Sequence, residues 1–191
     1  MKENPILSSL RFILKPIEDN AYSNSHLIEM MQDERVQRYI RGNALNDDEV
    51  VIGLARFHSI NNSNGLGFWL IYDDHQTCVG MCLLKPMPTE QPTGFIETGY
   101  WIKPEHWGKG IAAEAAKRMV EYAFVDLNLK RVTAVVNPEN IGSIKSLEKA
   151  GLTRSGTIVA YGTELPFYSI VNECTKMTGT LIANPTNGRI E

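Results

Sequence analysis

The sequence predicts an α/β (α+β) fold in one domain, a mixed sheet flanked by helices. Three observations carry that prediction: segments of strand-like composition open and close the chain, an apolar stripe of helical period begins at Ile111, and a glycine turn at Gly108 and Gly110 joins the two patterns. A chain of 191 residues with 43% apolar content can bury one substantial core and is short for two. One domain over residues 1–191 is therefore expected, with its core at about 10–176 and a polar, turn-prone tail fraying from about 180.

Leu10, Phe12 and Leu14 alternate with Arg11, Ile13 and Lys15 as in a strand that Pro16 ends. Asp19 or Asn20 is placed to cap a helix through Met31. A second helix is expected to start near Asn46 or Asp47, with Val50, Val51, Leu54 and Phe57 on one side. Residues 61–65 read as a turn, and 67–72 and 77–84 as an antiparallel pair joined by 73–76. A third strand, 95–103, follows the loop 86–94.

The helix after the glycine turn carries apolar residues at 111, 112, 115, 116, 119, 120 and 123, with Glu114 and Arg118 spaced as an i, i+4 pair outside the stripe. A strand at 131–136 follows. Then comes a short helix at 140–150 with Ile144 and Leu147 inward, and Gly151 stands where a left-handed cap is wanted. Strands at 157–161 and 167–176 close the sheet.

Several function classes are disfavoured. The net charge is -3, with 19 basic residues scattered among 22 acidic ones, so no basic face for a nucleic acid emerges. No apolar leader follows Met1, and the longest apolar runs, such as 78–84, fall far short of a membrane span. Cys78 and Cys82 are expected on one strand face, about 13 Å apart at about 3.3 Å per residue, too far to bridge. With Cys174 the third cysteine, no disulfide framework is expected, which fits a reducing cytoplasm. His26, His58, His75 and His106 lack a ligand spacing, so no metal is implied, and Met30 and Met31 read as core filler.

Chemistry concentrates at Gly108-Lys109-Gly110-Ile111-Ala112. Backbone amides and the positive end of a helix dipole converge there on an anion site, which Lys109 can reinforce at its rim. Two glycines can equally make a plain tight turn. Gly108, Gly110 and Ala113 also satisfy G-x-G-x-x-A, but the strand after the helix ends Val135-Val136-Asn137-Pro138 without an acidic residue for a ribose. Hydride transfer is the weaker reading.

Glu97-Thr98-Gly99-Tyr100-Trp101-Ile102, Pro104-Glu105-His106-Trp107-Gly108-Lys109-Gly110-Ile111-Ala112 and the run from Asn137 to Leu152 together resemble the GNAT acetyltransferases. Within them the chain is most similar to the branch that includes the ribosomal-protein N-terminal acetyltransferases RimJ and RimL. The resemblance implies a mostly antiparallel sheet of about seven strands, splayed at the acetyl-CoA site. It implies acetyl-CoA as donor, with its pyrophosphate on the turn formed by Trp107, Gly108, Lys109, Gly110, Ile111 and Ala112. The pantetheine arm would pair with the strand end at Trp101 and Ile102, with Asn137 and Asn140 also beside the cofactor. Glu105 stands where the family usually has Gln or Arg.

For catalysis the resemblance implies Glu97 as base, acting through water. Ser143 becomes the proton donor to the leaving thiolate, since Leu147 occupies the position of the tyrosine that many relatives use. Read from position alone, Glu97 is an acid on a solvated strand face, Ser143 and Asn140 are helix caps and Tyr100 is core; the resemblance implies that Asn140 serves as cap and cofactor contact together. The acceptor cleft would lie between about 20–48 and 161–166. Asp33, Glu34, Asp47, Asp48 and Glu49 there could draw a cation, although acids near helix starts also suit the helix dipole. A peptide N-terminal α-amine is the acceptor the resemblance suggests. A small-molecule amine stays open, as do a non-catalytic acyl-CoA sensor and a homodimer, whose interface would look like any core-facing stripe.

Overall fold

The computed structural model describes residues 4–61 and 64–173. Cys174, the end of the last expected strand and the expected tail lie outside them. The chain opens with β1 (Leu7–Ser8) and β2 (Ile13–Pro16). Leu10, expected in a strand, is 93% exposed in the connection, and Phe12 and Leu14 carry the inward pattern.

Helix α1 (Ala21–Met31) is capped by Asn20, whose side chain accepts from the Ser23 amide, and α2 (Glu34–Gln37) is a single capped turn that the apolar pattern does not announce. In α3 (Asp47–Ile60), Asn46 and Glu49 form a reciprocal capping box that satisfies otherwise orphaned amides. Val50 faces inward, but Val51 is 67% exposed, because the inward stripe continues through Leu54 and Phe57 instead.

The rest comprises β3 (Gly67–Tyr72), β4 (Cys78–Pro86), β5 (Ile96–Ile102), a 3-10 turn (Pro104–His106), α4 (Ile111–Val125), β6 (Arg131–Val135), α5 (Ile141–Lys149), β7 (Thr153–Ala160) and β8 (Thr163–Val171). The sheet has eight strands in the order β1-β2-β3-β4-β5-β6-β8-β7, one more than the expected seven because the two-residue β1 pairs with β2. All neighbours are antiparallel except β5 and β6, which removes the doubly wound sheet that a dinucleotide fold requires.

The sheet is covered on both faces, so β3 is buried along its whole length and reads as a continuous apolar run. Leu14, Trp69, Ile71, Leu84, Met119 and Leu147 belong to one cluster, against α4 and α5. Leu27, Met30, Phe68, Leu70 and Met81 belong to another, against α1 and α3. A register shift opposite the end of β3 breaks the alternation in β4, so Cys78 joins the second cluster and Cys82 the first; they lie on opposite faces, not one. Both are buried free thiols.

Two further expectations are corrected. Glu114 and Arg118 do not pair: Glu114 takes Arg11 at 2.7 Å and the Ser9 hydroxyl, while Arg118 donates to the Ser8 carbonyl. The long-range partners win because the β1–β2 connection crosses the start of α4. The closing strands also begin earlier than expected, around a two-residue hairpin turn at Tyr161 and Gly162, where φ is 54° and 75°. Two consecutive left-handed residues match the twist of the strands, but a tyrosine in the first position gives no sequence signal.

Candidate active site

The site forms where β5 parts from β6. Along β4, β5 pairs continuously from Gly80↔Ile102 to Pro86↔Ile96, but it meets β6 at Glu97↔Thr133 alone. Beyond that point the β6-facing edge of β5 has no strand partner, and a cleft of about 1040 Å³ opens between α3, β5, α4 and α5. Its walls include Glu97, Trp101, Ile102, Trp107, Gly108, Gly110, Ile111, Ala112, Asn137, Asn140 and Ser143, so all but one of the expected catalytic and cofactor-binding residues converge on it, while the acids Asp33, Glu34, Asp47, Asp48 and Glu49 do not line it. Lys109 is the exception; its carbonyl accepts from the Arg11 guanidinium at 3.1 Å.

Gly108 and Gly110 both hold left-handed backbone, with φ of 76° and 77°, which a side chain would strain. Gly110 is the N-cap of α4 and no described side chain caps that helix. Its first amides, with the positive end of a 15-residue helix behind them, are free to receive an anion. The turn is braced from outside: Arg11 spans from the Lys109 carbonyl to Glu114 in the first turn of α4. Burial raises the Glu114 carboxyl, but hydrogen bonds from Ser9 and Arg11 outweigh it and hold the group below its ordinary value.

Alternation along β5 sends neighbouring side chains to opposite sides. Trp101 packs its ring 5.5 Å from that of Phe57 on α3. The Ile102 carbonyl accepts from the Trp107 indole at 2.7 Å. Tyr100 points the other way and meets α5, its hydroxyl 3.0 Å from the Ser143 Oγ and 2.9 Å from the Ser143 carbonyl. Burial pushes the Tyr100 phenol up to about 12, with Ser143 opposing the rise, so the group keeps its proton at neutral pH. The helix cap is Asn140, which accepts from the Ser143 amide at 3.0 Å and leaves the serine hydroxyl to the tyrosine. Asn137 accepts from the Glu139 amide in the turn before it.

Glu97 is not on a solvated face. It is 4% exposed, and one carboxylate oxygen takes both the Lys85 ammonium and the Tyr161 hydroxyl, with Lys85 and Tyr161 themselves 2.7 Å apart. Lys85 is directly opposite Glu97 across β4 and β5. Tyr161 arrives from the β7–β8 turn, which is docked by the Tyr161 amide on the Pro88 carbonyl and by a bridge between Ala160 and Thr89. Burial first, then the Glu97 charge, pushes the Tyr161 phenol well above its ordinary value, while Arg56 opposes the shift. Next to Glu97, the Thr98 hydroxyl is buried on the cleft wall without a hydrogen-bond partner among the described residues.

Lys85, Tyr161 and Arg11 carry no motif of their own. A strand register could have found Lys85; the other two depend on contacts between segments distant in sequence.

A family model described as Acetyltransferase (GNAT) domain matches residues 11–153, and the chain belongs to that family. It is 36% identical over 94 residues to the uncharacterised N-acetyltransferase p20 of Bacillus licheniformis, a match covering 49% of this chain and 52% of p20. The chain thus spans about half the length of that curated relative. Among solved structures, the acetyltransferase from Agrobacterium tumefaciens superposes with a TM-score of 0.71 at 23% identity, covering 90% of this chain and 97% of that one. The spermidine N-acetyltransferase from Vibrio cholerae, in complex with CoA and spermine, superposes with a TM-score of 0.67 at 19% identity, covering 84% and 95%. These likenesses establish the fold.

Proposed function

We propose that the protein is an acetyl-CoA-dependent N-acetyltransferase that moves the acetyl group directly to a primary amine, with a RimJ/RimL-like α-amine as the acceptor class. The observation that carries the reading is the pairing of an uncapped glycine turn at the start of α4 with a parted β5 edge leading back to Glu97. The amides at Gly110, Ile111 and Ala112 would hold the donor's pyrophosphate, and the free edge near Trp101 and Ile102 would align its arm.

In the reaction the amine nitrogen attacks the thioester carbonyl carbon, the C–S bond breaks, the amine loses a proton and the thiolate gains one. We assign the first proton to Glu97. Tyr161 bears on that carboxylate, so its hydroxyl can take the amine's proton and pass its own inward, where water was the expected carrier. Ser143, backed by the protonated Tyr100, supplies the second proton. An α-amine with an ordinary pKa of about 8 needs less help near neutral pH than a lysine at about 10.4, which suits so enclosed a base.

Thermal-shift titration with acetyl-CoA beside NADH, followed by thiol release with an amine panel, tests the reading. A CoA-specific shift with thiol release is expected. A shift without release under every acceptor points to a sensor module, and absence of any CoA shift removes the proposal altogether. Tyr161→Phe should lower kcat tenfold or more while keeping the acetyl-CoA shift.

A further inference from the structure

The cleft is unequally charged. Its walls carry Arg35, Arg41, Arg56, Lys85, Lys145 and Lys149 against Glu97. Three of these cations are already matched: Arg35 by Asp33 at 2.6 Å, Arg41 by Glu49 at 3.4 Å, and Lys85 by Glu97 itself. Lys145 and Lys149 lie on α5, the bank that carries Ser143. Arg56 is left on the opposite bank, on α3, with no ion-pair partner among the described residues. Arg56 lines the same cleft as Tyr161 and Glu97, and its charge bears on the Tyr161 phenol.

This arrangement does not suit a polycation. Glu97, the one acid among the described residues that line the cleft, is paired with Lys85; Asp33 and Glu49 are taken by their arginines, and Glu34, Asp47 and Asp48 lie off the cleft wall, so a second ammonium would meet the uncompensated guanidinium. A carboxylate meets the reverse situation, because a guanidinium binds it through two parallel charge-assisted hydrogen bonds. Phe57 and Trp101 form a contiguous aromatic wall beside it.

We propose that Arg56 binds the acceptor, and that the acceptor is a primary amine bearing a carboxylate in the same molecule. A free amino acid and a peptide with an acidic residue near its N-terminus share that chemistry; a polyamine or an aminoglycoside does not. The assignment rests on the acetyl-transfer reading above, which places the amine at Glu97 and Tyr161.

The test is thiol release from acetyl-CoA with matched acceptors: phenylalanine against phenylalaninamide, a Glu-initiated peptide amide against its Gln counterpart, and spermidine and kanamycin. The carboxylate-bearing member of at least one pair should have kcat/KM about tenfold higher, chiefly through KM. Which pair shows it distinguishes amino acid from acidic peptide. In Arg56→Gln, an exposed substitution, that preference should collapse while the acetyl-CoA thermal shift persists. Equal rates within both pairs, faster turnover of spermidine or kanamycin, or a preference that survives Arg56→Gln overturns the assignment and leaves acetyl transfer standing. No thiol release from any acceptor while acetyl-CoA still binds overturns both.

Discussion

Lys85 and Glu97 occupy directly opposed positions on β4 and β5, and their side chains close an ion pair within the cleft, with the Tyr161 hydroxyl on the same carboxylate oxygen. Both partners are buried, at 8% and 4% exposure. In such a place the loss of one charge strands the other in a poorly solvating environment. Lys85→Met should therefore lower stability by about 3 kcal/mol, and Lys85→Met with Glu97→Leu should recover much of it. Urea unfolding of the single and double variants checks this; an unchanged midpoint in Lys85→Met would show that the pair is not structurally coupled.

At the glycine turn, ligand and backbone effects separate. Gly110→Ala forces a Cβ into left-handed backbone and should cost about 1 kcal/mol, with its nearest neighbour, the Arg11 guanidinium, at 3.6 Å. Gly110→Asp adds a carboxylate where the pyrophosphate would sit. Its acetyl-CoA shift should vanish although the protein still melts cooperatively, and retained binding in Gly110→Asp would move the anion site elsewhere.

The Arg11–Glu114 brace should give a signature in acid. Because Glu114 holds its proton less tightly folded than unfolded, its contribution is complete above its ordinary value of 4.5 and fades as pH falls through the lower folded value. At neutral pH Glu114→Gln should cost about 1 kcal/mol, a modest figure because Arg11 is half exposed. The difference from wild type should shrink below pH 4.5. A gap that stays constant from neutral pH to strong acid would exclude a charge-dependent brace.

Tyr100 and Ser143 should behave as a coupled pair. Ser143→Ala should reduce kcat with little change in acetyl-CoA binding, and Tyr100→Phe should do the same to a smaller degree. With its phenol near 12, Tyr100 adds no bend to the wild-type kcat profile between about pH 6 and 10, so Tyr100→Phe should run parallel to it. Additive losses in the double variant would mean that the two hydroxyls act independently.

Legibility followed the range of the forces involved. Asn20, Asn46 and Gly151 were readable because a cap is decided within a few residues of itself. The stripe on α4 was readable for the same reason, apart from Tyr122, a buried aromatic whose hydroxyl reaches the Gly65 carbonyl. Glu114 pairs with Arg11 and not with the Arg118 that its spacing suggests, because a local i, i+4 pair is weak and a contact from the β1–β2 connection displaces it. The β7–β8 connection is shorter than the sequence suggests, because Tyr161 adopts a left-handed conformation that tyrosine seldom signals.

By itself the sequence determined the periodicity of the helices and strands, the glycine turn that leaves the start of α4 uncapped, and the motif order that resembles GNAT enzymes. Those properties arise from backbone sterics and short-range hydrogen bonds, which act over a few residues. Tertiary structure alone decided that β5 meets β6 at one pair of residues, that Glu97 is enclosed by Lys85 and Tyr161, and that Tyr100 turns its hydroxyl to Ser143. The spacing of Tyr161 from Lys85 and Glu97 along the chain has no bearing on their meeting. Strand register and the docking of a hairpin bring them together, and burial then makes each charge or hydroxyl take the partner that this packing supplies.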